Sequence, residues 1–202
     1  TDFIFFISSQ TIKRFAEMSA IKNYFNVNKI HFDNSKPKEC HRIIKEYFEN
    51  LLPSNVEYYL HSFTIQKGSN YYGLIFGTSH SLGMEKFLKV CWEEDPLSGD
   101  SNCNIDNDYE VGTLFYDENQ SSKKVRMKQD LKNKIITGLI TNNERGLKYA
   151  LKNGCLPTLF VEVVKELKQE NTITIKGNFS ASAANIHRIK PGHKGYYEIE
   201  VI

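Results

Sequence analysis

The chain is poor in the residues that announce a cofactor or metal site. It has four cysteines in 202 residues: Cys40, Cys91, Cys103 and Cys155. None forms a Cys-x-x-Cys pair, and their spacing fits no common zinc pattern. They read as free thiols in a reducing compartment, with Cys91 on the apolar face of a helix. There is no Gly-x-Gly-x-x-Gly, so an intact nucleotide-binding half is missing. No apolar run approaches the length needed to span a bilayer. The opening run Phe3-Ile4-Phe5-Phe6-Ile7 is too short for a signal peptide and lacks a basic flank. With no export signal visible, the expected compartment is the cytoplasm. No Ser-His-Asp set, paired carboxylates or metal centre is expected. Asp100, Asn102, Asn104 and Asp106 echo a calcium loop, but Ile105 and Val111 stand where that loop needs Gly and Glu.

The net charge of +2 is unevenly spread. Residues 1–125 carry 13 Lys/Arg and 17 Asp/Glu, a net of −4, whereas residues 126–202 carry 13 and 7, a net of +6. Only the second part invites an anionic partner.

Asp2 to Ile7 reads as a buried strand. Such a strand needs neighbours on both sides, so the N-terminal part of a larger fold is expected to be absent. Ser8 or Ser9 can cap a helix carrying Ile12, Phe15, Met18, Ile21 and Phe25. His41 to Leu52 has helical spacing and ends at Pro53. Val56–Gln66 and Tyr71–Gly77, joined by Lys67-Gly68-Ser69-Asn70, predict an antiparallel hairpin. The next helix buries Met84, Phe87, Leu88, Cys91 and Trp92. Val111 to Tyr116 is a short strand, and Asp117–Lys124 is a polar linker. The expected domains are 1–124 and 125–202.

The second part patterns as three helices and a hairpin. Leu131, Ile135 and Leu139 mark the first helix, Asn143–Lys152 the second, and Pro157 starts the third. Strands Thr172–Lys176 and Tyr196–Ile202 follow. That is the order of a winged helix-turn-helix. Of each tyrosine pair, Tyr58-Tyr59, Tyr71-Tyr72 and Tyr196-Tyr197, one ring should pack inward.

Two places are candidate sites. At the end of the Tyr71–Gly77 strand, Thr78, His80, Gly83 and Glu85 put a hydroxyl, an imidazole and a helix N-terminus at one sheet edge, where α/β proteins hold ligands. The alternative is a serine-capped helix with a surface histidine. In the last loop, His187, Arg188, Lys190, His193 and Lys194 can neutralise phosphates. The alternative is solvated cations on a protein-docking winged helix.

Thr78-Ser79-His80, Gly83, Glu85-Lys86, Trp92 and Asp95-Pro96, with the opening strand and Ile12-Lys13-Arg14, resemble the three-Cys-motif partner family. The resemblance implies a Rossmann-like S-adenosylmethionine methyltransferase with a C-terminal winged helix, whose sheet has an antiparallel end like the hairpin here. The family's glycine-containing cofactor turn and Asp-Pro-Phe-like catalytic strand have no counterpart. The chain therefore resembles the C-terminal part only, and no catalytic residue carries over. S-adenosylmethionine is implied for the full-length member and not expected for this chain alone. The implied partner is a radical-S-adenosylmethionine-like three-cysteine protein. The expected role is substrate or partner recognition in a nucleic-acid modification or phage-associated system. The alternative is a non-enzymatic winged-helix module, binding DNA or protein, on an α/β scaffold.

Overall fold

A computed structural model of the chain describes residues 2–8, 11, 14, 39–53, 55–103, 122–179 and 186–202. The expected helix through Ile12–Phe25 and the strand Val111–Tyr116 lie outside them. The described residues form a mixed α/β fold with two small antiparallel sheets and five helices.

The first sheet holds β1 (Phe3–Ser8), β2 (Tyr59–Lys67) and β3 (Asn70–Thr78). A two-residue loop with Gly68 at φ 61° joins β2 to β3, a conformation that favours glycine in tight hairpins. β3 is central, antiparallel to both neighbours, with Phe5 opposite Ile75 and Phe63 opposite Leu74. The expectation that β1 is buried between two neighbours meets a correction. Among the described residues β1 pairs only with β3, and Ile4 and Phe6 are 60% and 62% exposed. The aromatic and β-branched run specifies a strand well, but nothing described covers its outer edge. Ser8 does act as a cap, its Oγ accepting from the Thr11 amide at 3.4 Å.

One face of this sheet carries α1 (Cys40–Leu51). A Cβ at Gly73 would fall 2.1 Å from that of His41, so glycine is what lets the helix approach. Cys40, Ile44, Ile7, Leu60 and Ile75 close a small cluster there. His41 and Thr64, both fully buried, meet at 2.7 Å through Nε2 and Oγ1, which satisfies two polar groups that burial would otherwise penalise.

The other face carries α2 (Ser81–Glu94), whose Phe87 ring stacks on Phe76 at 4.8 Å. Beyond its contact with the sheet, α2 turns Met84, Leu88 and Trp92 into a larger cluster shared with the rest of the chain. That remainder is α3 (Ser122–Ile136), α4 (Asn143–Lys152), α5 (Thr158–Gln169), then the hairpin β4 (Ile173–Gly177) and β5 (Tyr197–Val201). Asn142 caps α4 by accepting from the Arg145 amide at 2.9 Å. Gly154, at φ 69°, ends the α4 turn as left-handed glycine does. Between α3 and α4, Asn142 bridges Glu198 and the Thr141 carbonyl accepts from Ile199 at 2.8 Å, adding a short third strand segment to the hairpin. Leu131, Ile135, Phe160, Val163 and Val164 have no exposure at all, each contributing roughly 1.5–3 kcal/mol.

Two boundaries shift. Leu139 is 63% exposed, because α3 ends at Ile136 and the chain turns through Gly138. Ser122, Lys123 and Lys124, expected in a linker, open α3 instead. The division at 124/125 thus runs through a helix, and the larger cluster draws Tyr59, Met84, Leu88 and Trp92 from one side and the C-terminal helices from the other. Tyr59 and Tyr197 are buried while Tyr58 and Tyr196 are half-buried, but Tyr71 and Tyr72 are half-buried alike.

Candidate functional site

The strand end after β3 is a tightly tied turn. Thr78 is fully buried. Its hydroxyl donates to Asp2 Oδ1 at 2.7 Å and accepts from the His80 amide at 3.0 Å. A Cβ on Gly83 would reach 3.2 Å from the same Oγ1, so the first turn of α2 rests on Thr78. His80 is exposed and starts α2 through its carbonyl, which accepts from Met84 at 3.1 Å; no side chain caps the helix. Of the four strand-end candidates, Thr78 and Gly83 build the turn, and His80 and Glu85 face outward from it.

Glu85 is half-buried, and burial raises its carboxyl above the usual value against the charges of Lys86, His187 and Lys89. The second candidate cluster therefore comes to the first. A 3₁₀ turn, Ile186–Arg188, packs on α2 and sets His187 beside Glu85. The described part of the loop, residues 186–196, is anchored. Ile189 is buried, His193 Nδ1 accepts from the Gly195 amide at 3.1 Å, and Asn143 donates to the Gly195 carbonyl at 2.7 Å. Arg188, Lys190 and Lys194 stay exposed.

The carboxylates on the polar side of α5 are paired with α3 while staying partly exposed. Lys128 of α3 meets Glu162 and Glu166 at 3.1 and 3.0 Å, and Lys132 meets Glu166 and Glu170 at 3.1 and 3.3 Å. A helix whose carboxylates are engaged by its neighbour presents little positive potential to phosphate.

No family model matches this chain, nor does any curated protein or solved structure.

Among the described residues, no group of three His, Cys, Asp or Glu could hold a metal ion, and no helix is long and apolar enough to cross a membrane. Cys40, Cys91 and Cys155 are buried thiols. Burial pushes Cys91 up to about 12 and Cys155 to about 11, which leaves both poor nucleophiles at neutral pH.

Two features, Asp95 and His61, were missed in the sequence, and for Trp92 its burial was expected but its polar partners were not. Asp95, quoted only as part of a motif, folds the loop after α2. Burial alone would raise its carboxyl, but the Ser98 hydroxyl and the amides of Ser98, Asp100 and Leu97 outweigh that and lower it. Trp92 is buried, and its indole N–H donates to the Gly154 carbonyl at 3.0 Å while Lys124 sits 4.6 Å above its ring. His61, a strand residue without a motif, lies buried beside Asp100 and Lys123 at the floor of a polar cavity. The Trp92 pattern was readable from helical spacing, and the Asp95 turn is local, through Leu97, Ser98 and Asp100; the His61 site depends on residues far apart in sequence.

Proposed function

We propose that this chain is the C-terminal part of a methyltransferase-like protein whose winged helix recognises a substrate or partner in a nucleic-acid modification or phage-associated system. One observation carries the reading. β1 is apolar on both faces yet, among the described residues, paired on one edge, and it lies beside an antiparallel hairpin. A strand apolar on both faces belongs inside a sheet covered on both sides, so this sheet reads as the antiparallel end of a longer one. The three helices and hairpin, with the Thr141–Asn142 segment pairing β5, support the winged-helix half of the proposal.

S-adenosylmethionine does not fit the residues described. The two glycines at the β3-to-α2 turn, Gly77 and Gly83, are packed against Phe3, Leu60 and Thr78 and open no space for a ligand, and the hydroxyl of Thr78 is already engaged on both sides. In this proposal cofactor chemistry would belong to residues outside those described, and no step is assigned to these residues. Calorimetric titration tests this: no saturable heat with the 202-residue chain, and binding once the preceding half of the gene product is included. Micromolar binding by the chain alone, or silence from the longer protein, contradicts it.

The second reading is a docking module without chemistry, for DNA or for protein. The paired carboxylates on the polar side of α5 favour protein, and the three-cysteine partner is the candidate that the family resemblance supplies. If nucleic acid is bound, Arg188, Lys190 and Lys194 contact phosphate and not bases. Replacing all three with Ala should then flatten the salt dependence by roughly 0.9 in log–log slope for each duplex phosphate no longer neutralised. Fluorescence anisotropy over a salt series decides it: equal slopes, or no binding by the wild type at low salt, leave protein docking.

A further inference from the structure

Between α1, β2, the turn at Gly99-Asp100, the start of α3 and the end of α4 lies a polar cavity of about 520 Å³. Three helices send cations to it. Arg42 and Lys45 come from α1, Lys123 and Arg126 from the opening of α3, and Lys152 from the last turn of α4. Facing these five are three carboxylates, Glu46, Glu49 and Asp100, so the lining is net positive by two.

Internal pairing uses part of this charge. Lys45 meets Glu49 at 2.8 Å, and Lys123 meets Asp100 at 2.6 Å. Arg126 and Lys152 are exposed and make no ion pair among the described residues. The floor is neutral and fixed. His61 Nε2 lies 3.3 Å from the Gly99 carbonyl, and burial, then the charge of Lys123, keeps the ring uncharged by lowering its pKa to about 4. Gly154 keeps the floor open: a Cβ there would come 2.7 Å from the His61 ring and 3.2 Å from Lys123 Nζ. The N-terminal end of the 15-residue α3 adds partial positive charge, and the C-terminal end of α4, which is partly negative, is offset by Lys152.

No Phe, Tyr or Trp lines this cavity, and its one imidazole, His61, is buried at the floor. With no apolar wall to hold an alkyl chain, charge dominates what the cavity can recognise. Two guanidinium groups and three ammonium groups converging from separate helices suit tetrahedral oxyanions, to which arginine offers paired donors. We propose that this cavity binds phosphate groups, from a small phosphorylated molecule or from a nucleic-acid backbone. The inference stands on the cavity alone and is independent of the methyltransferase-like reading.

The test is calorimetric titration of the full chain with tripolyphosphate at low salt. Saturable one-site binding is expected. Arg126→Ala with Lys152→Ala should weaken it roughly tenfold or more, with an unchanged circular-dichroism spectrum and melting temperature because both side chains are exposed. A control pair of equal charge change at exposed lysines outside the cavity, Lys67→Ala with Lys165→Ala, should leave the affinity unaltered. A second arm adds a single-stranded oligonucleotide. If it displaces tripolyphosphate from the wild type and binds the cavity variant more weakly, the phosphate source is a nucleic-acid backbone. If it does not displace, the source is a small molecule. Absence of saturable binding, equal affinity of wild type and cavity variant, or equal weakening by the control pair overturns the proposal.

Discussion

The two apolar clusters of this molecule differ in how completely they are closed. Among the described residues, the larger gathers twenty-two buried side chains from β2 to β5, and every amphipathic helix there finds a partner for its apolar face. The smaller has five, under α1, and its strand β1 leaves Ile4 and Phe6 more than half exposed. Both regions are rich in strong hydrophobic residues. The difference lies in what covers them among the described residues, and it teaches that the C-terminal cluster is closed on itself while the first sheet keeps one open edge.

The largest expected effect sets one region against the other. Phe160 is fully buried, with its ring against Gly146, and Phe160→Ala should cost about 3–5 kcal/mol. Phe6→Ala, at an exposed position stacked among the described residues on Tyr72, should cost about 0.5 kcal/mol. Urea denaturation of the two variants checks this, and similar losses would break the comparison.

Acid should sharpen it. Burial, then the charge of Arg42, lowers His41 from 6.5 to about 4, and burial, then Lys123, does the same to His61. Both rings belong to the first sheet and its helix. A histidine with a lowered folded pKa protonates first in the unfolded chain, so its contribution is full above pH 6.5 and is lost as the pH falls toward 4. Each should cost on the order of 3 kcal/mol by then. Denaturation midpoints between pH 7 and 4 should fall less steeply for His41→Asn than for the wild type; parallel slopes would contradict the assignment.

Smaller effects probe the seam and the surface. Trp92→Phe removes the bond to the Gly154 carbonyl and should cost about 1–2 kcal/mol, read as a shift in the urea midpoint at unchanged slope. Lys132→Ala, in the exposed ladder with Glu166 and Glu170, should cost under about 1 kcal/mol. A larger loss would mean that the ladder, and not the apolar cluster, holds α3 to α5.

Much of the C-terminal region was legible because its signals are local. Asn142 and Gly154 bracket α4 at its expected bounds, and Pro157 sits one residue before α5. Leu139 misled because it continues the spacing of Leu131 and Ile135, while Gly138 at φ 73° turns the chain before it. Ser122-Lys123-Lys124 reads as linker by composition. Its helix is held by Asp100 and Trp92, over twenty residues away, and no window along the chain displays that pairing. The polar cavity is illegible for the same reason, since its cations are brought together from three separate helices. β1 was legible as a strand. Its burial was not, because burial depends on which chain lies beside it.

Native-state hydrogen exchange of the 202-residue chain tests the central contrast most directly. The account predicts that amides of Phe3–Ser8 exchange orders of magnitude faster than those of Leu131, Leu147, Val163 and Leu167, as a strand with one open edge should beside a closed cluster. Protection of β1 equal to that of α5 would mean that its outer edge is already covered, and would contradict the reading of a sheet awaiting continuation.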